Sequence, residues 1–378
     1  MNFDFSEEQQ LLAASVRRFV EKQYDFEARG KIVASADGYS ATVWATLAEL
    51  GLLGLPLPGE FGGFDGGAVD LMSVMEAFGE ALVVEPYLAT VGVGAQFIAR
   101  AGSVAQKQEL LPRIAAGELR LAFAQTERDS RYDLAQVTMR AAKSGNGYVL
   151  DGHKCVVLHA PCAGTLIVSA RTSGQVADRN GISLFLVDAG AEGLTMHAYR
   201  TLDDLRAADV GFRGVKVGSD ALIGTEGAAS DLIEDVVDYA TALVCAEAVG
   251  AIKYANDATL EYLKTRKQFG VTIGTFQALQ HRMVDMVISG EQARSMASLA
   301  CAKVDAEKNP VERRRVVSAA KIRVADACRH VAQEAVQLHG GMGMTDEMKV
   351  SHTFRRLTMI AQQFGDADHH LERFARHS

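Results

Sequence analysis

Leu119-Arg120-Leu121-Ala122-Phe123-Ala124-Gln125-Thr126-Glu127 is where the chain changes character. Residues 121–125 are a short apolar run closed by polar residues, the pattern of a buried strand. From residue 119 to about 227 such runs recur, at 121–125, 137–143, 148–151, 155–158, 165–170, 182–187 and 210–217. Turn chemistry separates them: Ser144-Gly145-Asn146-Gly147, Asp151-Gly152 and Asp178-Arg179-Asn180-Gly181. Regular short strands of this kind predict a small antiparallel sandwich or barrel.

On both sides the pattern is helical. Ser6 with Gln9 reads as a capping box, and Leu12, Val16 and Phe19 follow at helical spacing. Residues 50–67 hold Pro56, Pro58 and then five glycines, so they read as a loop. Helical pattern returns at about 70–85 and continues to about 117. After the strands, a helix is expected over about 230–266. A second places Leu279, Met283, Met286, Gly290, Ala293, Ala297, Ala300 and Val304 on one stripe. A third does the same with Val317, Ala320, Val324, Ala327, Val331 and Leu338, and stops at Gly340-Gly341. Asn309-Pro310 separates the two. Small residues on these stripes predict closely packed antiparallel helices. The expected architecture is α+β and multi-domain: a helical domain over 1–118, an antiparallel β domain over 119–228, and a C-terminal four-helix bundle over 229–378.

Composition narrows the function. With 378 residues, 48% of them hydrophobic, the chain can bury cores of domain size without staples. The net charge of −8 argues against a nucleic-acid binder, which needs a basic surface. Cys155, Cys162, Cys245, Cys301 and Cys328 are odd in number and show no C-x-x-C spacing, so neither a disulfide framework nor a zinc site is expected. Residues 1–10 are polar and acidic, unlike a signal peptide. The most apolar stretch, residues 81–99, contains Glu85, Pro86, Gln96 and two glycines, which is unlike a membrane span. These features lead to the expectation of a cytoplasmic protein that binds neither membrane nor metal. No dinucleotide fingerprint, Walker loop, H-E-x-x-H or G-x-S-x-G is present.

Three stretches carry chemistry: Thr265-Arg266-Lys267-Gln268-Phe269-Gly270 with Phe276-Gln277 and Gln280, then Gln337-Leu338-His339-Gly340-Gly341-Met342-Gly343, and the opening 121–127 run. An arginine closing a helix offers a fork to phosphates. A nearby aromatic can lie on an adenine, and paired glycines let a ligand approach backbone. Taken singly, Arg266 reads as a surface arginine and Gly340-Gly341 as a helix stop.

Taken together with the helix–β–helix layout and the Pro58-x-Glu60-x-Gly62-Gly63 loop, they resemble the acyl-CoA dehydrogenase family along essentially the whole chain. The resemblance implies FAD, an acyl-CoA substrate, an electron-transfer flavoprotein as electron acceptor, and a dimer or tetramer. It assigns Arg266, Phe269, Gln277, Gln337, Gly340 and Gly341 to the adenine-diphosphate half of a neighbouring subunit's FAD. Phe123, Gln125 and Thr126 match the stretch beside the isoalloxazine ring.

The resemblance also exposes departures. The family reaction needs an ionised carboxylate to take the α-proton of the thioester while a hydride leaves the β-carbon. The usual glutamate lies in a stretch like I-Y-E-G-T, where this chain reads Gln363-Phe364-Gly365-Asp366, so Phe364 stands at the base position. The alternative family position, on the preceding long helix, falls at Ala240, followed by Thr241. In the K-x-W-I-T-like strand, Lys154 is kept but Val156 and Leu158 replace the aromatic and the hydroxyl. Phe364-Gly365-Asp366-Ala367-Asp368-His369-His370-Leu371, together with Arg128 and Arg131-Tyr132-Asp133-Leu134, is similar to small subunits of heteromeric dehydrogenases of the pimeloyl-CoA type. Such a subunit helps to bind FAD and relies on a related large subunit with an intact glutamate. Two further readings stand beside it: an active homomer using Asp366 as base, and a non-catalytic scaffold that binds acyl-CoA or a partner.

Overall fold

The computed structural model describes residues 6–376; the acidic N-terminal stretch falls in part, at residues 1–5, outside the described residues. The first helices are α1 (Glu7–Gln23), α2 (Phe26–Ala34), α3 (Ala41–Glu49), α4 (Ala68–Ala81), α5 (Ala95–Ala101) and α6 (Val104–Ala115). The expected capping box opens α1: Gln9 N–H donates to Ser6 Oγ at 3.2 Å, and Ser6 N–H to Gln9 Oε1 at 2.9 Å. Between α4 and α5, Leu88–Gly94 winds as a π-helix.

Strands β1 (Leu121–Ala124), β2 (Arg140–Ser144), β3 (Gly147–Leu158), β4 (Thr165–Arg171), β5 (Ile182–Asp188), β6 (Leu194–Arg200), β7 (Arg206–Gly218) and β8 (Leu222–Ile223) follow. Their path is β6-β7-β3-β2-β4-β5-β8, with β1 against β4. Most pairings are antiparallel, as expected. Two are not: β1 runs parallel to β4, and β2 meets β4 in parallel at Arg140↔Arg171. Parallel neighbours need a long crossover, and the β2–β3 hairpin supplies it between β1 and β4.

The strand boundaries differ from the sequence reading in several places. Residues 148–151 and 155–158 belong to one strand, because Asp151-Gly152 makes a bulge instead of a turn. Gly152, at φ 147°, leaves no room there for a Cβ, which would meet Met139 Cα at 2.9 Å. The expected strand over 137–143 begins at Arg140. β6 was not anticipated, since it pairs only with β7 and is largely exposed, so no apolar run announces it.

Then come α7 (Ser230–Thr265), the two-residue strands β9 (Lys267–Gln268) and β10 (Val271–Thr272), and α8 (Gln277–Ala306), α9 (Pro310–His339), α10 (Lys349–Gln362) and α11 (Ala367–Arg376). The apolar stripes are the packed faces. Met283, Met286, Ala293, Ala297, Ala300 and Val304 of α8 are buried, as are Val317, Ala320, Val324, Ala327, Val331 and Leu338 of α9. These helices form the C-terminal bundle.

The chain divides into two compact units. One combines residues up to 31, 68–83 and from 241 onward; the other combines 32–67 and 84–240. In the first unit, α4 crosses α7 on two glycines. A Cβ on Gly79 would meet the Glu247 carbonyl at 1.9 Å, and one on Gly250 would meet the Glu76 carbonyl at 1.8 Å. In the second, Leu121, Leu166, Val168, Phe185, Val187 and Val215 are inaccessible to solvent and form the sheet's core. Among the described residues no helix is long and apolar enough to cross a membrane.

Candidate functional site

Within the β unit, the 121–127 stretch is β1 and the turn leaving it. Phe123 is half-buried, with its ring 4.7 Å from that of Phe97. Gln125 is buried and donates from Nε2 to the Leu134 carbonyl at 2.9 Å. Thr126 is exposed, and its carbonyl accepts from Cys155 N–H at 2.8 Å.

Lys154 holds this turn from β3. It is wholly buried, and Nζ donates to the Gln125 carbonyl (3.1 Å), Glu127 Oε1 (2.8 Å) and Ser169 Oγ (2.9 Å). Burial pulls the Lys154 pKa down to about 8 against the opposing pull of Glu127. For Glu127, burial pushes upward, but Lys154 and the Thr138 hydrogen bonds outweigh it, and its pKa is lowered. Two residues beyond Lys154, Val156 sits at φ 51° on a second bulge, 47% exposed, its N–H bonded to Asp209 Oδ1 at 3.0 Å. A β-branched residue is a true outlier in that region. The exposed edge at Thr126 and Val156 is thus pinned from beneath.

In the helical unit, the arginine motif ends α7 and turns back. Phe269 (φ 54°) and Gly270 (φ 81°) form the tight turn between β9 and β10. Phe269 is 90% exposed and touches Phe276 edge-on at 6.3 Å. Arg266 and Gln277 are exposed, as are Gln337, Gly340 and Gly341 at the end of α9. A Cβ on Gly340 or Gly341 would meet nothing within 4 Å, so the space above that backbone is open to a ligand. His339 is structural: Nδ1 bonds the Ala335 carbonyl at 2.8 Å and the ring stacks on Tyr262 at 4.5 Å. Burial lowers its pKa, opposed by that carbonyl.

The loop at Phe364, where the resemblance expects the base, is held by buried side chains. Phe364 (φ 60°) and Gly365 (φ 120°) link α10 to α11. Lys321, wholly buried, donates to the carbonyls of Ala361 (3.2 Å) and Gly365 (2.6 Å). His370 bonds the Phe364 carbonyl through Nε2 (3.1 Å) and Ser318 Oγ through Nδ1 (3.2 Å). Burial lowers the pKa of both, and that of His370 falls well below the usual imidazole value. Asp366 serves as the N-cap of α11: its Oδ1 accepts His369 N–H at 2.8 Å. Ala240 is fully buried on α7. Farther along α7, Glu247 makes a buried two-pronged pair with Arg356, at 2.6 and 2.7 Å.

The sequence reading missed Lys154, Lys321, His370 and the Glu247–Arg356 pair as organisers of these loops. A lysine at an inward position of a strand was the one signal on offer.

Exposed phosphate- and adenine-type donors near open glycine backbone fit a dinucleotide cofactor. Comparison with known proteins supplies the rest. The acyl-CoA dehydrogenase N-terminal, middle and C-terminal domains match residues 6–118, 122–215 and 231–378. Acyl-CoA dehydrogenase FadE12 of Mycobacterium tuberculosis is 30% identical over 330 residues, 85% of this chain and 84% of that protein. The ChsE4–ChsE5 complex of the same organism contains a chain that superposes with a TM-score of 0.90 at 26% identity, covering 100% of this chain and 98% of its own. The FAD complex of PigA gives 0.91 at 27%, covering 100% and 98%. This chain therefore belongs to the acyl-CoA dehydrogenase family, FAD-dependent oxidoreductases acting on CH–CH bonds.

Proposed function

We propose that this chain takes part in the α,β-dehydrogenation of an acyl-CoA thioester as the subunit that helps to bind FAD and lacks the catalytic base. The observation that carries the reading is the locked loop at Phe364, with Ala240 buried at the alternative position. Neither side chain can accept a proton. Asp366 is turned to capping α11, which argues against the reading of an active homomer.

In this proposal Arg266, Phe269, Gln277, Gln337, Gly340 and Gly341 grip the adenine-diphosphate half of a partner's FAD. Phe123, Gln125 and Thr126 line the ring edge on this chain. Bound FAD supplies the hydride acceptor; the chain's own part is to orient it and to hold the acyl chain away from water. The partner is a related large subunit with an intact glutamate, in a cytoplasmic heterotetramer that passes electrons to an electron-transfer flavoprotein. The two-chain ChsE4–ChsE5 complex supports a heteromer as an arrangement available to this fold. The domains are 1–118, 119–228 and 229–378. A dicarboxylyl-CoA such as pimeloyl-CoA is the substrate class carried over from the resemblance.

The test is to assay the purified chain alone and with a related glutamate-bearing chain, using medium-chain and dicarboxylyl-CoA substrates. The chain alone is expected to show no turnover, and the mixed complex full turnover. Robust activity from the pure homo-oligomer would sink the proposal. Absence of flavin from every complex would instead favour the scaffold reading.

A further inference from the structure

Among the described residues, burial draws three lysines below the ordinary lysine range: Lys154, Lys321 and Lys349. Two of them are wholly buried and fully engaged. Lys154 holds Gln125, Glu127 and Ser169, and Lys321 holds the carbonyls of Ala361 and Gly365. Lys349 differs. It is half-buried, and among the described residues its ammonium has neither a hydrogen-bond acceptor nor a carboxylate at ion-pair distance. Its neighbour is the ring of Tyr254 on α7, with Nζ 4.0 Å from the centroid. A ring face returns only part of what burial takes from an ammonium. Lys349 is also the first residue of α10, whose first turn carries no acid, so it stands at the positive end of a helix, where a cation is disfavoured. Two charges act on it in opposite senses: Glu80 on α4 favours the ammonium and Arg29 on α2 disfavours it, while burial dominates and lowers its pKa to about 8. Nζ is not enclosed, however, and still meets solvent.

We infer that Lys349 is a self-acylation site, its neutral amine taking the acyl group of an acyl-CoA thioester. The step balances without a further reactant. The nitrogen lone pair attacks the thioester carbonyl, a C–N bond forms and the C–S bond breaks. The leaving thiolate takes the proton that the nitrogen sheds, giving an amide and free CoA. Desolvation is a general way of making a lysine amine nucleophilic. The amide carries no charge, so it is better tolerated than an ammonium at the start of α10. The choice of a thioester as acyl donor rests on the proposed acyl-CoA reading, but flavin, base and partner subunit take no part in the step.

The experiment incubates the full-length chain, with any related subunit that co-purifies, with acetyl-CoA across the neutral to alkaline range. Acetylation is read lysine by lysine by peptide mass spectrometry. Lys31 and Lys143, exposed and paired with Glu27 and Glu226 at 2.8 Å each, are references within the same molecule. Lys349 is expected to acetylate at least about tenfold faster than either near neutral pH, because far more of it is neutral. Its rate should level off above a pH of about 8, where those of the references still climb. A Lys349 rate no greater than the references overturns the inference, as does a rate that climbs in parallel with theirs. Acetylation of Lys349 by N-acetoxysuccinimide but not by acetyl-CoA overturns it too, since the amine is then reactive and the thioester is not its acyl donor. Lys349→Arg should remove the fastest acetyl group from the intact mass. Should that variant fail to fold, the site-resolved rates of the wild type still decide. Failure of the dehydrogenation reading is separate, since it shows as absent turnover in the mixed complex.

Discussion

Lys154 and Glu127 form an ion pair at 2.8 Å in which the lysine is wholly buried and the glutamate side chain 6% exposed. It ties β3 to the turn after β1, the turn that carries Gln125 and Thr126. A buried pair of this kind adds little net stability over an apolar pair, but breaking it strands a charge. Glu127→Gln is therefore expected to cost about 3–5 kcal/mol in urea unfolding. The double substitution Lys154→Met with Glu127→Leu should recover most of that loss. A cost below about 1 kcal/mol for Glu127→Gln would show that water reaches the ammonium.

The same pair sets a pH dependence in two windows. Lys154 has a folded pKa of about 8 against an ordinary 10.5. Between these values the unfolded chain holds a proton that the folded chain has released, so this group makes stability rise with pH across that window. Glu127 has a lowered pKa, so its contribution is present above the ordinary value of 4.5 and lost as the pH falls through the folded value. Unfolding midpoints measured from pH 3 to 10 should show the acid loss and the alkaline rise. Lys154→Met should remove the alkaline rise, and an unchanged profile in that variant would refute the assignment.

At the α4–α7 crossing, Gly79→Ala and Gly250→Ala each drive a methyl group into a backbone carbonyl that cannot move independently of its helix. Each is expected to destabilise by at least the upper end of the about 1–3 kcal/mol seen for overpacking. Gly341→Ala, facing open space, serves as the control. Thermal midpoints that fall no further for the two crossing variants than for the control would contradict the close crossing.

Phe269→Ala and Arg266→Lys touch exposed side chains, so stability should stay within about 0.5 kcal/mol of the wild type. Their effect is expected on FAD: severalfold less flavin retained after gel filtration, because the ring loses its aromatic neighbour or the phosphates lose the guanidinium fork. Full retention in both variants would place the adenine-diphosphate half of the cofactor elsewhere.

Asp366 separates a cap from a base. Asp366→Asn keeps an N-cap side chain, and Asp366→Ala should lose about 1 kcal/mol of stability. Under the subunit proposal, neither changes the turnover of the mixed complex by more than about twofold, the scale of about 0.4 kcal/mol in barrier. Abolition of turnover by Asp366→Asn, with the fold and flavin intact, would restore Asp366 as the base.

Local chemistry by itself determined the order of elements and much of their extent. Helix stripes such as Met283, Met286 and Ala293, the Ser6–Gln9 cap and the stop at Gly340 depend on residues three or four apart, so periodicity reports them directly. The motifs around Arg266 and Gly340, and the side chains without a carboxylate at Phe364 and Ala240, were legible because residue identity alone carries them. Other features were decided only by the tertiary structure. The parallel pairing of β1 with β4 joins Leu121 to Thr165 across 44 residues, and nothing in either strand names its neighbour. Edge strand β6 gained its place from β7 alone. Lys321 and Arg356 look in sequence like ordinary surface cations, and only an inward place on its strand sets Lys154 apart. Each acquires its role because packing removes it from water, where the only groups left to receive its charge are the carboxylates and carbonyls that the fold brings to it.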